Sequence, residues 1–130
     1  MTQAVELSQQ RREEWVARVA ALAEQIKVWC QSQGWLVEEE QKTIHEDLLG
    51  QYFVPELRIA APGGTLHLNP IALQVVAGNG RVDLEAFPTL SRVKLVGSNG
   101  GWKVMTDSNV PLRDPWNQES FVRLAADLLS

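Results

Sequence analysis

The apolar residues of this chain recur with two different periods, and the order in which those periods change constrains the fold more than any motif does. From about Trp35 to Met105 the period is close to two, as in strands; on both sides it is close to three and a half, as in helices with one buried stripe. A helix, a run of short strands and a second helix specify an α+β fold. The expected architecture is an N-terminal helix, a five- or six-stranded, mainly antiparallel sheet and a C-terminal helix, with both helices packed on one face of the sheet. Residues 1–130 are expected to form a single such domain, long enough to bury a real core.

The first helix is expected from about Ser8 to Gln33. Ser8 suits an N-cap, Glu13 and Glu14 suit the positive end of the helix dipole, and Gly34 suits the left-handed position that ends it. Trp15, Val19, Leu22, Ile26 and Trp29 fall on one stripe, which either covers the sheet or forms a helix–helix seam in a dimer. Cys30 adjoins that stripe and reads as a small buried hydrophobe.

Strands are expected over Trp35–Thr43, which either runs beyond the core or lies at an edge of the sheet, and over Tyr52–Ile59, interrupted at Pro55 and so confined to an edge or bulge. Further strands are expected over 65–68 and 73–77, separated by a break at Asn69-Pro70, and then over 81–87, 92–95 and 102–105. Turns fall at 47–50, at 61–64, at Gly78-Asn79-Gly80 and at 97–101. In the strand after Gly80, Val82, Leu84 and Ala86 are expected to face inward, with Arg81, Asp83 and Glu85 facing water. His67 is likewise expected on the water face. From Thr106 to Gln118 there is no period, and either Asp114-Pro115 or Asn117 can start the last helix, whose apolar stripe is Phe121, Leu124, Ala125 and Leu128.

Composition excludes several classes of function. No apolar run is long enough to span a bilayer, no signal peptide is evident, and a lone cysteine permits neither an internal disulfide nor a cysteine-rich zinc site. A cytoplasmic protein with no membrane partner is therefore expected. The net charge of −4 lies in residues 1–50, with nine acids and five bases, whereas residues 51–130 hold seven of each. That balance argues against a nucleic-acid partner, which needs clustered Lys and Arg. Arg92, Lys94 and Lys103 form at most a small basic spot on neighbouring strands.

Catalytic motifs fare no better. There is no phosphate loop, nucleophile elbow or dinucleotide fingerprint. A helix with a sheet and a further helix resembles the restriction-endonuclease type of metal-dependent nuclease, and Asp83 stands where that family has its first acid. Arg92-Val93-Lys94 departs from the family pattern, with Arg in place of the second acid, and Glu85-Ala86-Phe87 lacks the lysine. The element order also resembles frataxin, in which acids on the first helix and strand contact iron. Glu13, Glu14, Glu38, Glu39 and Glu40 occupy comparable places, and the resemblance implies metal binding by surface carboxylates. The acidic stretch Glu38 to Asp47, which includes His45, is a further place for a cation. From the residues alone no metal or cofactor is expected.

Five tryptophans are many for 130 residues. Trp15, Trp29 and Trp35 suit the core, whereas Trp102, after two glycines, and Trp116, between prolines and a helix, have no assigned core role. Tryptophan concentrates in binding hot spots. Trp102 and Trp116, with Arg113 and Asn109 of the intervening loop, are the candidate binding residues; the alternative is that both rings finish the core. The expected function is a non-catalytic protein-binding or structural module, with another protein or a second copy as partner through the sheet face or the first helix.

Overall fold

A computed structural model describes residues 2–75 and 78–130. Helix α1 (Thr2–Ser32) precedes six strands: β1 (Leu36–Glu46), β2 (Gly50–Ala61), β3 (Gly64–Val75), β4 (Gly78–Phe87), β5 (Arg92–Ser98) and β6 (Gly101–Thr106). Helix α2 (Gln118–Leu128) follows. The strands pair in chain order and each neighbouring pair is antiparallel, as short turns require. This is the expected α+β arrangement, with six strands and both helices on one face.

Trp15, Val19, Leu22 and Ile26 of α1 are buried and Trp29 partly so, which covers the helix stripe within the chain. The helix ends as expected. Trp35 N–H donates to Cys30 O at 2.9 Å and Gly34 N–H to Gln31 O at 3.1 Å, with Gly34 at φ +75°, the paired bonds that close a helix through a left-handed glycine. Its start differs from expectation. The helix begins at Thr2, so Ser8 lies inside it rather than capping it. Ala4, Glu6, Leu7, Gln9 and Gln10 are good helix formers, and that propensity extends the helix beyond the apolar stripe.

Three expected breaks in the sheet are absent. β2 runs through Pro55, which pairs with Gln41 of β1; β3 pairs with β2 only from Leu57↔Leu68 to Ala61↔Gly64, so Pro55 falls where β2 has no second neighbour. Asn69-Pro70 does not end a strand either, because β3 absorbs the proline as a register shift between Pro70 and Ala72. Gly78, Asn79 and Gly80 are strand residues, with Val75 pairing Gly78 and Gln74 pairing Asn79. The end of the expected 73–77 strand lies outside the described residues.

Where β2 and β3 part, Glu46 fills the gap. Its carboxylate accepts from Leu73 N–H and Gln74 N–H at 3.0 Å each, and from the Tyr52 hydroxyl, so backbone donors that lack a strand partner are satisfied. Tyr52 and Val54 lie on the same side of β2 as Glu56 and Arg58, yet the first two are buried and Arg58 is exposed. The free end of the β1–β2 ribbon has coiled inward, as two-stranded ribbons do.

At the other end of the chain, Asp114-Pro115 forms no helical turn. Asn117 caps α2 instead, accepting from Ser120 N–H at 2.9 Å while Ser120 Oγ accepts from Asn117 N–H at 3.1 Å. The preceding loop folds back on β6. Leu112 N–H donates to Val104 O and Thr106 N–H to Val110 O, both at 2.9 Å, and Met105 bridges Pro111.

Trp15 joins helix to sheet. Its indole N–H donates to Tyr52 Oη at 3.1 Å, and its ring lies so close to Gly80 that a Cβ there would stand 2.1 Å from Trp15 Cζ3. Gly80 also has φ +100°. Gly80→Ala is expected to destabilise the protein by about 2–5 kcal/mol, from left-handed strain plus overpacking. Gly100→Ala, at φ +77° with nothing within 4 Å, carries only the strain of about 1–2 kcal/mol. Urea unfolding midpoints compare the two directly.

Candidate binding groove

One turn beyond Trp15, α1 presents Arg18, Ala21 and Gln25 beside its buried stripe, Ala21 and Gln25 being exposed. Arg18, Ala21, Leu22 and Gln25 line a groove of about 560 Å³ whose other walls are Gly100, Gly101, Trp102, Pro115 and Trp116. Trp102 stands at one end, its ring centroid 5.9 Å from that of Trp15, with the Arg18 guanidinium 4.9 Å from its centroid. Arg18 reaches this position by donating to Gly101 O at 2.9 Å and Asn79 O at 3.3 Å. Gly97 leaves the space for it, since a Cβ there would lie 2.3 Å from Asn79 O and 2.8 Å from the guanidinium.

Trp116 stands at the other end. Its ring packs edge-on against Trp29 at 5.3 Å and Phe121 at 5.8 Å, and its indole N–H donates to Gln25 Oε1 at 2.9 Å. Both tryptophans thus brace one side of the ring on the core and turn another to the groove. Trp116 also lines a second hollow of about 270 Å³, whose walls combine Val104, Leu112 and Leu124 with the charged Arg113, Asp114, Arg123 and Asp127. Trp102, Trp116 and Arg113 are therefore brought into one region. Asn109 is not: at φ +65° it accepts from Lys94 Nζ at 2.8 Å and so turns to the other face of the sheet. Arg18 and Gln25 belong to the groove but were not candidates from the sequence. Their spacing of seven beside the apolar stripe is the signal that could have found them.

The opposite face of the sheet corrects two expectations. Asp83 is 1% exposed rather than facing water. β4 is an inner strand, and the Arg81 guanidinium grips the short carboxylate at 2.7 and 2.9 Å while Arg92 approaches within 3.7 Å. Those hydrogen bonds hold the Arg81 guanidinium above its usual range. His67 is half-buried, with Nε2 3.1 Å from Glu56 and Nδ1 3.1 Å from Glu85. A hollow of about 190 Å³ beside Glu85 is lined by neither Asp83 nor His67. The bases Arg92 and Lys94 are tied to Asp107 and Asn109. Every buried side-chain nitrogen and oxygen among the described residues has a partner, so this array leaves no buried donor or acceptor for a ligand.

The acids considered for metal binding do not converge. Glu38 and Glu40 point to one side of β1, Glu39 to the other, where it pairs with Lys27 of α1; Glu46 is taken up at the β3 gap, and His45 is exposed. Among the described residues no three His, Cys, Asp or Glu side chains form a cluster that could hold an ion. No described helix is long and apolar enough to cross a membrane. The chain matches no protein-family model, no curated protein and no solved structure.

Cys30 is fully buried, and desolvation pushes its thiol up to about 12 from 9.0. It is expected to resist a disulfide reagent until the protein unfolds. Because the unfolded thiol ionises first, this group contributes stability below pH 9.0 that is lost as pH rises towards about 12. The urea midpoint should fall more between about pH 8 and pH 10 for the natural protein than for Cys30→Ala.

Proposed function

We propose that this protein is a non-catalytic binding module that holds a partner protein's exposed segment in the groove between α1, the β5–β6 turn and the loop before α2. The observation that carries this reading is the placement of Trp102 and Trp116 at the two ends of one hollow. Each ring is braced from behind and so already ordered before a ligand arrives, which lowers the entropy cost of binding. Such braced, partly desolvated indoles are what binding hot spots consist of. A groove that sets two indoles beside the polar side chains of Arg18 and Gln25 suits a segment carrying both apolar and polar groups. The opposite sheet face is self-satisfied and offers less.

The test is selection from a phage library of random dodecapeptides on the intact protein. Enriched peptides are expected to shift the indole N–H resonances of Trp102 and Trp116 while leaving Trp35 unmoved. Trp116→Ala should weaken them by about tenfold or more, in line with a hot-spot residue. Enriched peptides that perturb only the Asp83–His67 face would place the binding surface elsewhere.

A further inference from the structure

Asn79 and Asn99 each precede a glycine, and the fold sets them in opposite surroundings. We propose that Asn99 is a site of spontaneous covalent modification. It cyclises onto Gly100 and reopens as aspartate or isoaspartate, which alters one wall of the groove, while the fold protects Asn79 from the same reaction. The chemistry is independent of what the groove binds.

The chain has five asparagines, and only these two are followed by glycine. Glycine matters because the attacking atom is its amide nitrogen, which no Cβ crowds. The Gly100 amide nitrogen, after losing its proton to hydroxide, bonds to Asn99 Cγ. The Cγ–Nδ2 bond breaks, and the amide group leaves as ammonia with a proton from water. A five-membered imide then joins the two residues. Water opens it in either of two ways. Cleavage between Gly100 N and Cγ yields aspartate; cleavage between Gly100 N and the main-chain carbon of Asn99 yields isoaspartate. Water enters, ammonia leaves, and nothing is oxidised or reduced.

Asn99 meets the conditions for ring closure. Asn99 and Gly100 lie between Ser98 and Gly101, which pair across the β5–β6 turn. Their φ values of +47° and +77° are those of a two-residue hairpin loop. Both residues are exposed. Gly100 N–H donates to no backbone acceptor among the described residues. Beyond its chain neighbours, nothing lies within 4 Å of where a Gly100 Cβ would stand. An exposed tip with so few contacts opens at low cost.

Asn79 is held. It pairs with Gln74 of β3, and its carbonyl oxygen accepts from Arg18 Nη1 at 3.3 Å. The Trp15 ring covers the next residue, Gly80, leaving no room for a Cβ. The peptide between Asn79 and Gly80 is therefore clamped from both sides. Ring closure there requires β4 to leave Trp15 first, and the cost of that local opening multiplies into the rate.

The products change the groove. Gly100 and Gly101 line it, and Gly101 O holds Arg18 at 2.9 Å beside Trp102. Isoaspartate adds a carbon to the main chain of a two-residue loop whose backbone twist must match the flanking strands. Either product also puts a carboxylate on that turn.

The experiment ages the full-length protein in mildly alkaline buffer, folded and in parallel in guanidinium chloride. Both sites are followed by mass spectrometry of proteolytic peptides, with fragmentation that separates aspartate from isoaspartate. In denaturant the two sites are expected to react at similar rates. In the folded protein Asn99 should stay within about tenfold of its denatured rate, and Asn79 should fall about a hundredfold or more below its own. A second Trp102 indole resonance is expected to grow with the modified fraction. Asn99→Gly, which keeps the left-handed turn and removes the reacting amide, should show one Trp102 resonance throughout. The proposal is overturned if the two sites react alike in the folded protein, or if folded Asn99 stays intact while its denatured counterpart is consumed. A lag of Asn79 in denaturant as well also overturns it, because the fold then supplies no protection. A single Trp102 resonance in a half-converted sample, or equal splitting in Asn99→Gly, removes the effect on the groove wall.

Discussion

The contact of the Trp15 ring with the backbone of Gly80 sets the position of α1 on the sheet, and most other features follow from it. A tryptophan can lie flat on a strand only where the strand offers no Cβ, and here that residue also adopts a left-handed conformation that glycine alone takes without strain. With α1 seated there, Val19, Leu22 and Ile26 come over the strands in turn, and the core closes with Phe121, Ala125 and Leu128 of α2. The Tyr52 hydroxyl accepts the indole N–H and donates to Glu46, which satisfies the donors of β3. Burial and the Glu46 carboxylate both keep that phenol protonated, raising it above its ordinary range. One seat therefore connects helix placement, the parting of β2 from β3 and the coiling of the first hairpin.

The same seat creates the groove. Arg18 lies one turn beyond Trp15 and crosses the gap to Gly101 O, in space that Gly97 leaves open. That crossing places a cation over Trp102 and leaves a hollow between the helix and the β5–β6 turn, which Trp116 closes at its far end. The two sides of the sheet then differ in kind. One carries apolar packing and an unfilled trough; the other carries ion pairs that complete one another.

Much of the fold was legible because local patterns carried it. The α1 stripe, the Gly34 terminus, the edge position of β1, the alternation of Val82, Leu84 and Ala86 and the Asn117 cap all depend on residues within a few positions of one another. The errors had a common cause. Pro55 and Asn69-Pro70 read as breaks because proline removes a donor, but whether a donor is missed depends on which strand lies alongside. Asp83 and His67 alternate like solvent-facing residues, and only the neighbouring strands bring Arg81, Arg92, Glu56 and Glu85 over them. Of the candidate site, Trp102, Trp116 and Arg113 were legible as aromatic or cationic residues without a core role. Arg18 and Gln25 were not, since on a helix they look like ordinary solvated positions.

The sequence by itself determined the kind and order of the elements, because the period of apolar residues depends only on backbone geometry within each segment. It also determined where α1 ends, through glycine chemistry, whereas for the start of α2 it offered Asn117 as one of two caps. Only the tertiary structure decided which side chains meet across the sheet, that Asp83 is enclosed, that Asn109 turns away from the other candidates, and that a helix and a turn more than seventy residues apart in the chain face each other across one groove. Those outcomes depend on the register and twist of strands distant in sequence, which no local pattern encodes.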